Sequence, residues 1–205
     1  TPFLRRLLPD VSVLWSVRVV PILLLVVVAG SVAGSSVAPI LPQFVASLLP
    51  PDALVATTTG TILGATALAA AVASAVLGRL GDRVGYRRLL LVCTAGGALF
   101  LIPQGVSNSV GMLLVARLLG GFFLGGTMPA VNALIAERTP SSHQGSVYGL
   151  STSVSSAGGA VGPMLGAVAA SAFGYGGAFF AGAAVLGIAC AVVAAHGVRA
   201  GRRRT

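Results

Sequence analysis

Six apolar stretches follow one another with short connections, at roughly residues 19–49, 54–78, 89–107, 110–136, 147–173 and 177–198. A hydrocarbon core about 30 Å thick takes about 20 helical residues to cross. In lipid, every backbone amide and carbonyl must be satisfied without water, which restricts spanning segments to helices or closed barrels. Stretches of this length, without strand-like alternation, predict an all-α membrane protein with six transmembrane helices. Composition agrees: 8% of the residues are charged and 56% hydrophobic, whereas a soluble domain averages about 25% charged. Such a chain has almost nothing with which to cover a water-facing surface.

The charge it does carry is placed at the ends of these stretches. All thirteen basic residues are arginines, at 5, 6, 18, 79, 83, 87, 88, 117, 138, 199, 202, 203 and 204, and the net charge is +9. A nucleic-acid binder lines its cations along one solvated face; these flank hydrophobic spans, so nucleic acid is not the partner and lipid headgroups are. Connections near 50–53, 108–109 and 174–176 carry no basic residue, while 79–88, 137–146 and the two termini carry twelve of the thirteen. That alternation follows the positive-inside rule and predicts an integral, multi-pass protein with both termini cytoplasmic. Residues 1–18 repeat leucines at helical spacing, but Arg5, Arg6, Pro9 and Arg18 interrupt them, which predicts a strip lying on the inner leaflet. The chain opens at Thr1 rather than Met and ends in a basic tail, 199–205, and it reads as a fragment beginning in an internal linker. Cys93 and Cys190 fall within apolar runs and read as small buried thiols. No cofactor motif and no metal-ligand spacing occurs within the spans, and no pairing of a nucleophile with a base, so enzyme chemistry is not expected.

Three features carry chemistry. Arg117 is the one ionised side chain inside a span. Intramembrane charges are costly and as a rule face the bundle interior; the alternative is that Arg117 snorkels to the interface. Gly120, Gly121, Gly125 and Gly126 follow it and remove bulk from its helix. The second feature is Gly158, Gly162, Pro163 and Gly166, where a proline that breaks helical hydrogen bonding sits among glycines four apart. It reads as a flexible kink or as a packing motif alone. Gly30, Ser31, Gly34 and Ser35 supply small residues in the first span. The fifth span opens with Ser146, Ser151, Thr152, Ser153, Ser155 and Ser156, which suit protein or a wet cavity better than lipid.

The third feature is the dense turn Gly78–Arg88, GRLGDRVGYRR. Asp82 is placed to cap the first amides of the third span, and Gly81 and Gly85 to allow a tight path. Arg83, Arg87 and Arg88 are placed to pair with acidic groups or helix ends when the inner face closes. A purely topogenic cluster would need the arginines but not the Gly-x-x-x-Asp spacing.

Taken together, these residues resemble the major facilitator superfamily. Gly78-x-Leu80-x-Asp82-Arg83-x-Gly85-x-Arg87-Arg88 is similar to its loop signature between the second and third helices. Arg117 with Gly121 resembles the arginine–glycine pattern of the fourth helix, although Gly120 stands where a glutamine is usual. Gly158–Gly166 resembles the Gly-Pro signature of the fifth, which is associated with antiporters. Ala38-Pro39-Ile40-Leu41-Pro42, Asn132-Ala133-Leu134-Ile135 and Gly145–Leu150 are similar to the second six-helix half of twelve-span drug:proton antiporters. The resemblance implies one half of a major facilitator fold, built as 3+3 inverted repeats that rock about a central cavity. It also implies a partner, either a missing N-terminal six-helix half or a second copy. The alternative is a first half ending in the central loop.

By the same resemblance the first and fourth spans line the cavity. Ser31, Ser35, Ser36, Gln43, Arg117, Thr127 and Asn132 are then its polar candidates, and Phe44, Phe122 and Phe123 its apolar ones. A cavity with few fixed charges suits lipophilic small molecules, and the resemblance implies their export across a bacterial inner membrane with protons as the coupling ion. The acidic residues Asp10, Asp52, Asp82 and Glu137 all lie in loops or at interfaces, so a titrating carboxylate is expected in the other half. A sugar or metabolite facilitator, or a scaffold that keeps the fold and moves nothing, are the alternatives.

Overall fold

The computed structural model describes residues 19–201, with side chains to Ala195. The interfacial strip expected over residues 1–18 and the last four residues of the basic tail lie outside the described residues. Eight helices occur among those described: α1 (Val20–Val37), α2 (Leu41–Leu48), α3 (Val55–Val84), α4 (Tyr86–Gly105), α5 (Val110–Gly125), α6 (Thr127–Arg138), α7 (Ser141–Phe173) and α8 (Tyr175–Gly201). They make six segments long and apolar enough to cross a membrane, with α5 and α6 forming one of them.

Helix limits differ from the sequence expectation wherever proline or glycine decides the backbone. The stretch 19–49 breaks at Ala38–Ile40, because Pro39 and Pro42 lack the amide donors that would close the ladder. The fourth stretch breaks at Gly126, where Pro129 has no N–H to return to Gly125. The connections expected over 79–88 and 137–146 are nearly absent. Helix α3 runs on through Arg79 and Arg83 to Val84, and α4 begins at Tyr86. Gly85 reverses the chain alone at φ 88°, and Gly174 does the same between α7 and α8 at φ 71°; both values favour glycine because it has no Cβ. The four arginines expected in the connection 79–88 are therefore helical instead, with Arg83 in the last turn of α3 and Arg87 and Arg88 in the first turn of α4. Pro163 stays inside the continuous α7, and Pro103 inside α4.

Number the spans one (α1 and α2), two (α3), three (α4), four (α5 and α6), five (α7) and six (α8). The main contacts join one with five, two with four, three with four, three with six, and six with one and five. Exchanging spans one to three for four to six maps one–five onto four–two and three–four onto six–one. Three–six maps onto itself. Spans one and four are also the two that break. The bundle is thus two three-span repeats of related architecture, the arrangement expected of a 3+3 half.

Direction within each contact is set by glycine packing. Gly158 and Gly162 of α7 meet Ser31 and Ser35 of α1, so both chains advance by four and the helices run parallel. Gly121 and Gly125 of α5 meet Thr66 and Ala70 of α3 in the same way. Spans three and six run antiparallel, with Gly97 against Leu186 and Gly105 against Gly176 and Phe180. The buried core includes Val26, Val37, Leu41, Ile62, Leu90, Leu113, Ile135, Phe179 and Leu186. Large apolar side chains such as Leu68, Val92, Leu99, Val115, Val168 and Ile188 remain on the outside, as a lipid-facing surface requires.

Candidate functional site

Three places in the bundle concentrate the residues singled out by sequence. The first is the turn between α3 and α4. Asp82 does not cap α4: the residue at that cap is Gly85 and no side chain bonds there. Asp82 lies in the last turn of α3, and its carboxylate accepts a hydrogen bond from the Tyr86 hydroxyl. Gly81, expected in a tight turn, is helical and buried, and a Cβ there would collide with the Tyr86 ring. Its lack of a side chain is what lets Tyr86 fold back over Asp82. Gly78 faces α6, where a Cβ would come 3.9 Å from Pro129. Arg79, Arg83, Arg87 and Arg88 are exposed, and Arg87 Nη2 donates to the Val193 carbonyl of α8 at 3.5 Å. This turn therefore joins spans two, three and six at one end of the bundle.

The second place surrounds Arg117. Ser109 caps α5 by accepting from the Met112 amide, which sets Arg117 roughly two turns, about 12 Å, inside the span. Its guanidinium carbon lies 5.7 Å from the centroid of the fully buried Phe179 ring, within cation–π range. Phe179 packs on Phe44 at 5.6 Å, and Phe44 reaches Tyr175 at 6.0 Å. Arg117 thus faces span six and the aromatic group that ties it to span one. Its Nε is buried without a hydrogen-bond partner.

Sequence reasoning passed over Gln104, a buried residue of α4 at the same level. Its Nε2 donates to Phe100 O at 2.7 Å and to Ala116 O at 3.3 Å. A Cβ at Gly120 would approach that nitrogen to 3.0 Å, so the glycine leaves room for a glutamine from the preceding span. The available signal was a lone amide within the apolar run 89–107.

The third place is the seam between α1 and α7. A Cβ at Gly158 would sit 3.0 Å from the Val28 carbonyl oxygen, one at Gly162 2.9 Å from the Val32 oxygen, and one at Gly166 would collide with the Ser36 backbone. Ser31 shares a hydrogen bond with Ser155 at 2.8 Å, and Ser35 donates to Ser31 O at 2.6 Å and to Gly158 O at 3.4 Å. The cavity candidates Ser31 and Ser35 are therefore parts of a helix seam, and Ser36 is buried with its hydroxyl on Ala33 O. A Cβ at Gly30 or Gly34 would meet nothing within 4 Å, so the absent side chains of these two glycines do not serve close packing at this seam.

The remaining candidates are dispersed. Gln43 and Asn132 are exposed, while Thr127 is buried with Oγ1 unpartnered. Phe123 stacks on Phe100 at 5.6 Å, in the space left by Gly96, and Phe122 packs against the core. On α7, Thr152, Ser153 and Ser156 are exposed, each bonding back to a carbonyl of its own helix. Near them the Tyr148 hydroxyl donates to Asn132 O at 3.1 Å. No group of three or more metal-ligating side chains occurs among the described residues.

Comparison with known proteins adds two findings. The family model described as Major Facilitator Superfamily matches residues 23–204. The MFS-type transporter YuxJ of Bacillus subtilis is 36% identical over 160 residues, covering 75% of this chain and 41% of that protein. Multidrug resistance protein MdtG of a Rahnella strain is 33% identical over 155 residues, covering 76% and 38%. The multi-drug resistance efflux pump PmrA of Streptococcus pneumoniae is 30% identical over 158 residues, covering 77% and 39%. The chain spans about two-fifths of the length of these relatives.

Proposed function

The chain belongs to the Major Facilitator Superfamily, and from that premise we propose that it is the second six-helix half of a twelve-span exporter of lipophilic small molecules, driven by proton exchange. In this reading the protein is a transporter and not an enzyme, and its two halves rock about a cavity between them. The observation that carries the reading is the open face of α7. Thr152, Ser153 and Ser156 stand exposed within a span, a surface that lipid serves poorly and that a facing half with a wet cavity serves well. Asn132 and Gln43 lie exposed on the two broken spans and add polar groups to such a cavity. The names of MdtG and PmrA favour drugs over sugars as cargo.

Arg117 is the cavity-side charge in this scheme, and Gly78–Arg88 is the inner gate, with Asp82 and Tyr86 holding the turn in shape. Asp52, Asp82 and Glu137 lie at helix ends or in a turn, so the proton-coupling carboxylate belongs to the other half. The arginine-rich end faces the cytoplasm of a bacterial cell.

Export assays on the complete transporter test the proposal. Arg117→Ala is expected to lower transport while membrane insertion is retained; undiminished transport would return Arg117 to a snorkelling role. Full proton-driven exchange by this chain alone would refute the placement of the coupling group. A compound panel in which sugars move and lipophilic cations do not would replace the cargo. For orientation, an impermeant thiol reagent added outside intact cells should label Asn108→Cys and spare Ser142→Cys.

A further inference from the structure

Among the described residues, five buried side-chain atoms lack a hydrogen-bond partner: Thr59 Oγ1, Gln104 Oε1, Arg117 Nε, Thr127 Oγ1 and Thr139 Oγ1. An orphaned polar atom in a buried site is costly, and each asks for an explanation. Two of these are complementary. Gln104 Oε1 accepts and cannot donate, whereas Arg117 Nε–H donates and cannot accept. The amide of Gln104 cannot turn over to relieve itself, because both partners of Nε2 are carbonyls, Phe100 O and Ala116 O. The oxygen is therefore the atom left free.

Both groups lie at one level of the bundle. Ala116, bonded by Gln104, immediately precedes Arg117. Gly105, next to Gln104, packs on Gly176 and Phe180, which brings Phe179 to the height of Gln104. Arg117, held over Phe179, is thus flanked by Gln104 on the neighbouring α4. Among the described residues no carboxylate is at hand, since Asp52, Asp82 and Glu137 are exposed.

We propose that Gln104 is the positioning residue of Arg117. The guanidinium alternates between two seats, the Phe179 ring seen here and the Oε1 of Gln104 in a second conformation of the bundle. A cation–π contact and a charge-assisted hydrogen bond are of similar strength in a desolvated site, so a small shift of α5 against α4 and α8 decides which seat is taken. Gly120 belongs to the same device, since it clears the space that Gln104 occupies. The inference deepens the role given to Arg117 above and rests on that reading for its part in transport.

The test reads the hydrogen bond and the transport separately, in the complete transporter. With nitrogen-labelled arginine, the Arg117 Nε–H resonance is assigned by its loss in Arg117→Lys. Gln104→Leu should move that resonance and speed its hydrogen exchange on the order of tenfold, the scale set by losing a buried charged hydrogen bond. Thr59→Val, which removes one of the orphaned hydroxyls, should leave it in place. An unmoved resonance in Gln104→Leu, or one moved by Thr59→Val instead, overturns the proposal. Gln104→Glu keeps an acceptor and adds charge, so it should trap Arg117 on α4, with slower Nε–H exchange and slower turnover. Wild-type behaviour of Gln104→Glu in both readouts also overturns it, even if Gln104→Leu fails to fold. In transport, Gln104→Leu should lower turnover on the order of tenfold in the wild-type background and have no further effect beside Arg117→Ala. Equal losses in both backgrounds would make Gln104 a structural residue only. If Arg117→Ala leaves transport intact, the functional reading of the arginine fails, while the resonance still decides the hydrogen bond.

Discussion

The two parallel seams, α1 with α7 and α3 with α5, occupy equivalent positions in the two three-span repeats and are built differently. Both bring backbone against backbone at residues four apart, which is how membrane helices gain contact without a hydrophobic drive between them. In the first seam the glycines lie on span five, as Gly158, Gly162 and Gly166; in the second they lie on span four, as Gly121 and Gly125. Exchange of the repeats would carry span five onto span two, so the glycines sit on opposite members of the matched pairs. The repeat is a symmetry of helix placement and not of side chains. The seams also differ in polarity. Ser31, Ser35 and Ser155 bond across the first, while Thr66, the hydroxyl of the second, bonds to Ile62 O of its own helix. Close approach is common to both, and polar fastening belongs to the first.

The largest effect should come from breaking the first seam at its tightest point. A side chain at Gly166 meets the backbone of Ser36, which cannot swing aside as a side chain can. Gly166→Val should therefore destabilise the bundle by about 3 kcal/mol or more, at or above the usual range for overpacking. Thermal unfolding of the purified protein in detergent measures it. A variant of wild-type stability would show that α1 and α7 are not in backbone contact. The second seam offers a matched case, since a Cβ at Gly125 would meet the Ala70 backbone. Gly125→Ala adds a single methyl and should cost about 1–3 kcal/mol. A cost well below that for Gly125→Ala, with a full penalty at Gly166, would make the α1–α7 seam the only rigid one.

These seams show what a sequence of this kind discloses. Six apolar runs and the arginines at their ends suffice to predict spans and their order, because lipid leaves only helices or closed barrels to satisfy the backbone and runs of about 20 residues fit helices. The glycine spacing at 158–166 predicts close packing but does not name the neighbour; that Ser31 and Ser35 lie opposite is a tertiary fact. Small residues at 30 and 34 look the same in sequence as those at 31 and 35, and only the helix rotation separates packed from open. Asp82 was misread because one residue in a positive-φ conformation, Gly85, replaced a longer loop. Gln104 was missed because its significance rests on two neighbours, Gly120 and Arg117, in the next span.

A smaller effect tests the fastening. The Ser31–Ser155 hydrogen bond at 2.8 Å links α1 and α7, and such bonds in membranes average about 0.6 kcal/mol. A double-mutant cycle of Ser31→Ala and Ser155→Ala should return a coupling energy of about that size. A matched cycle on Thr66 with Gly121 should report steric relief instead: Thr66→Ser removes the Cγ2 that a Cβ at Gly121 would approach to 2.8 Å. Thr66→Ser should then recover part of the loss caused by Gly121→Ala. Coupling of zero in the serine cycle would reduce the first seam to packing, and the contrast between the seams would narrow to which helix bears the glycines.

The smallest change should have the opposite sign. Gly34 lies on α1 between Ser31 and Ser35, yet it is exposed and a Cβ there meets nothing within 4 Å. Alanine is the better helix former by up to about 1 kcal/mol, so Gly34→Ala should leave this chain equally stable or stabilise it slightly, where alanine at Gly162 on the other side of the seam destabilises it. In the complete transporter the same substitution falls on a face that the proposed N-terminal half would approach. Stability measured on this chain and transport measured on the whole protein should therefore part company, the first preserved and the second lowered. Loss of stability in the chain alone would mean that α1 turns Gly34 inward, and the assignment of Ser31 and Ser35 to the seam would fall with it.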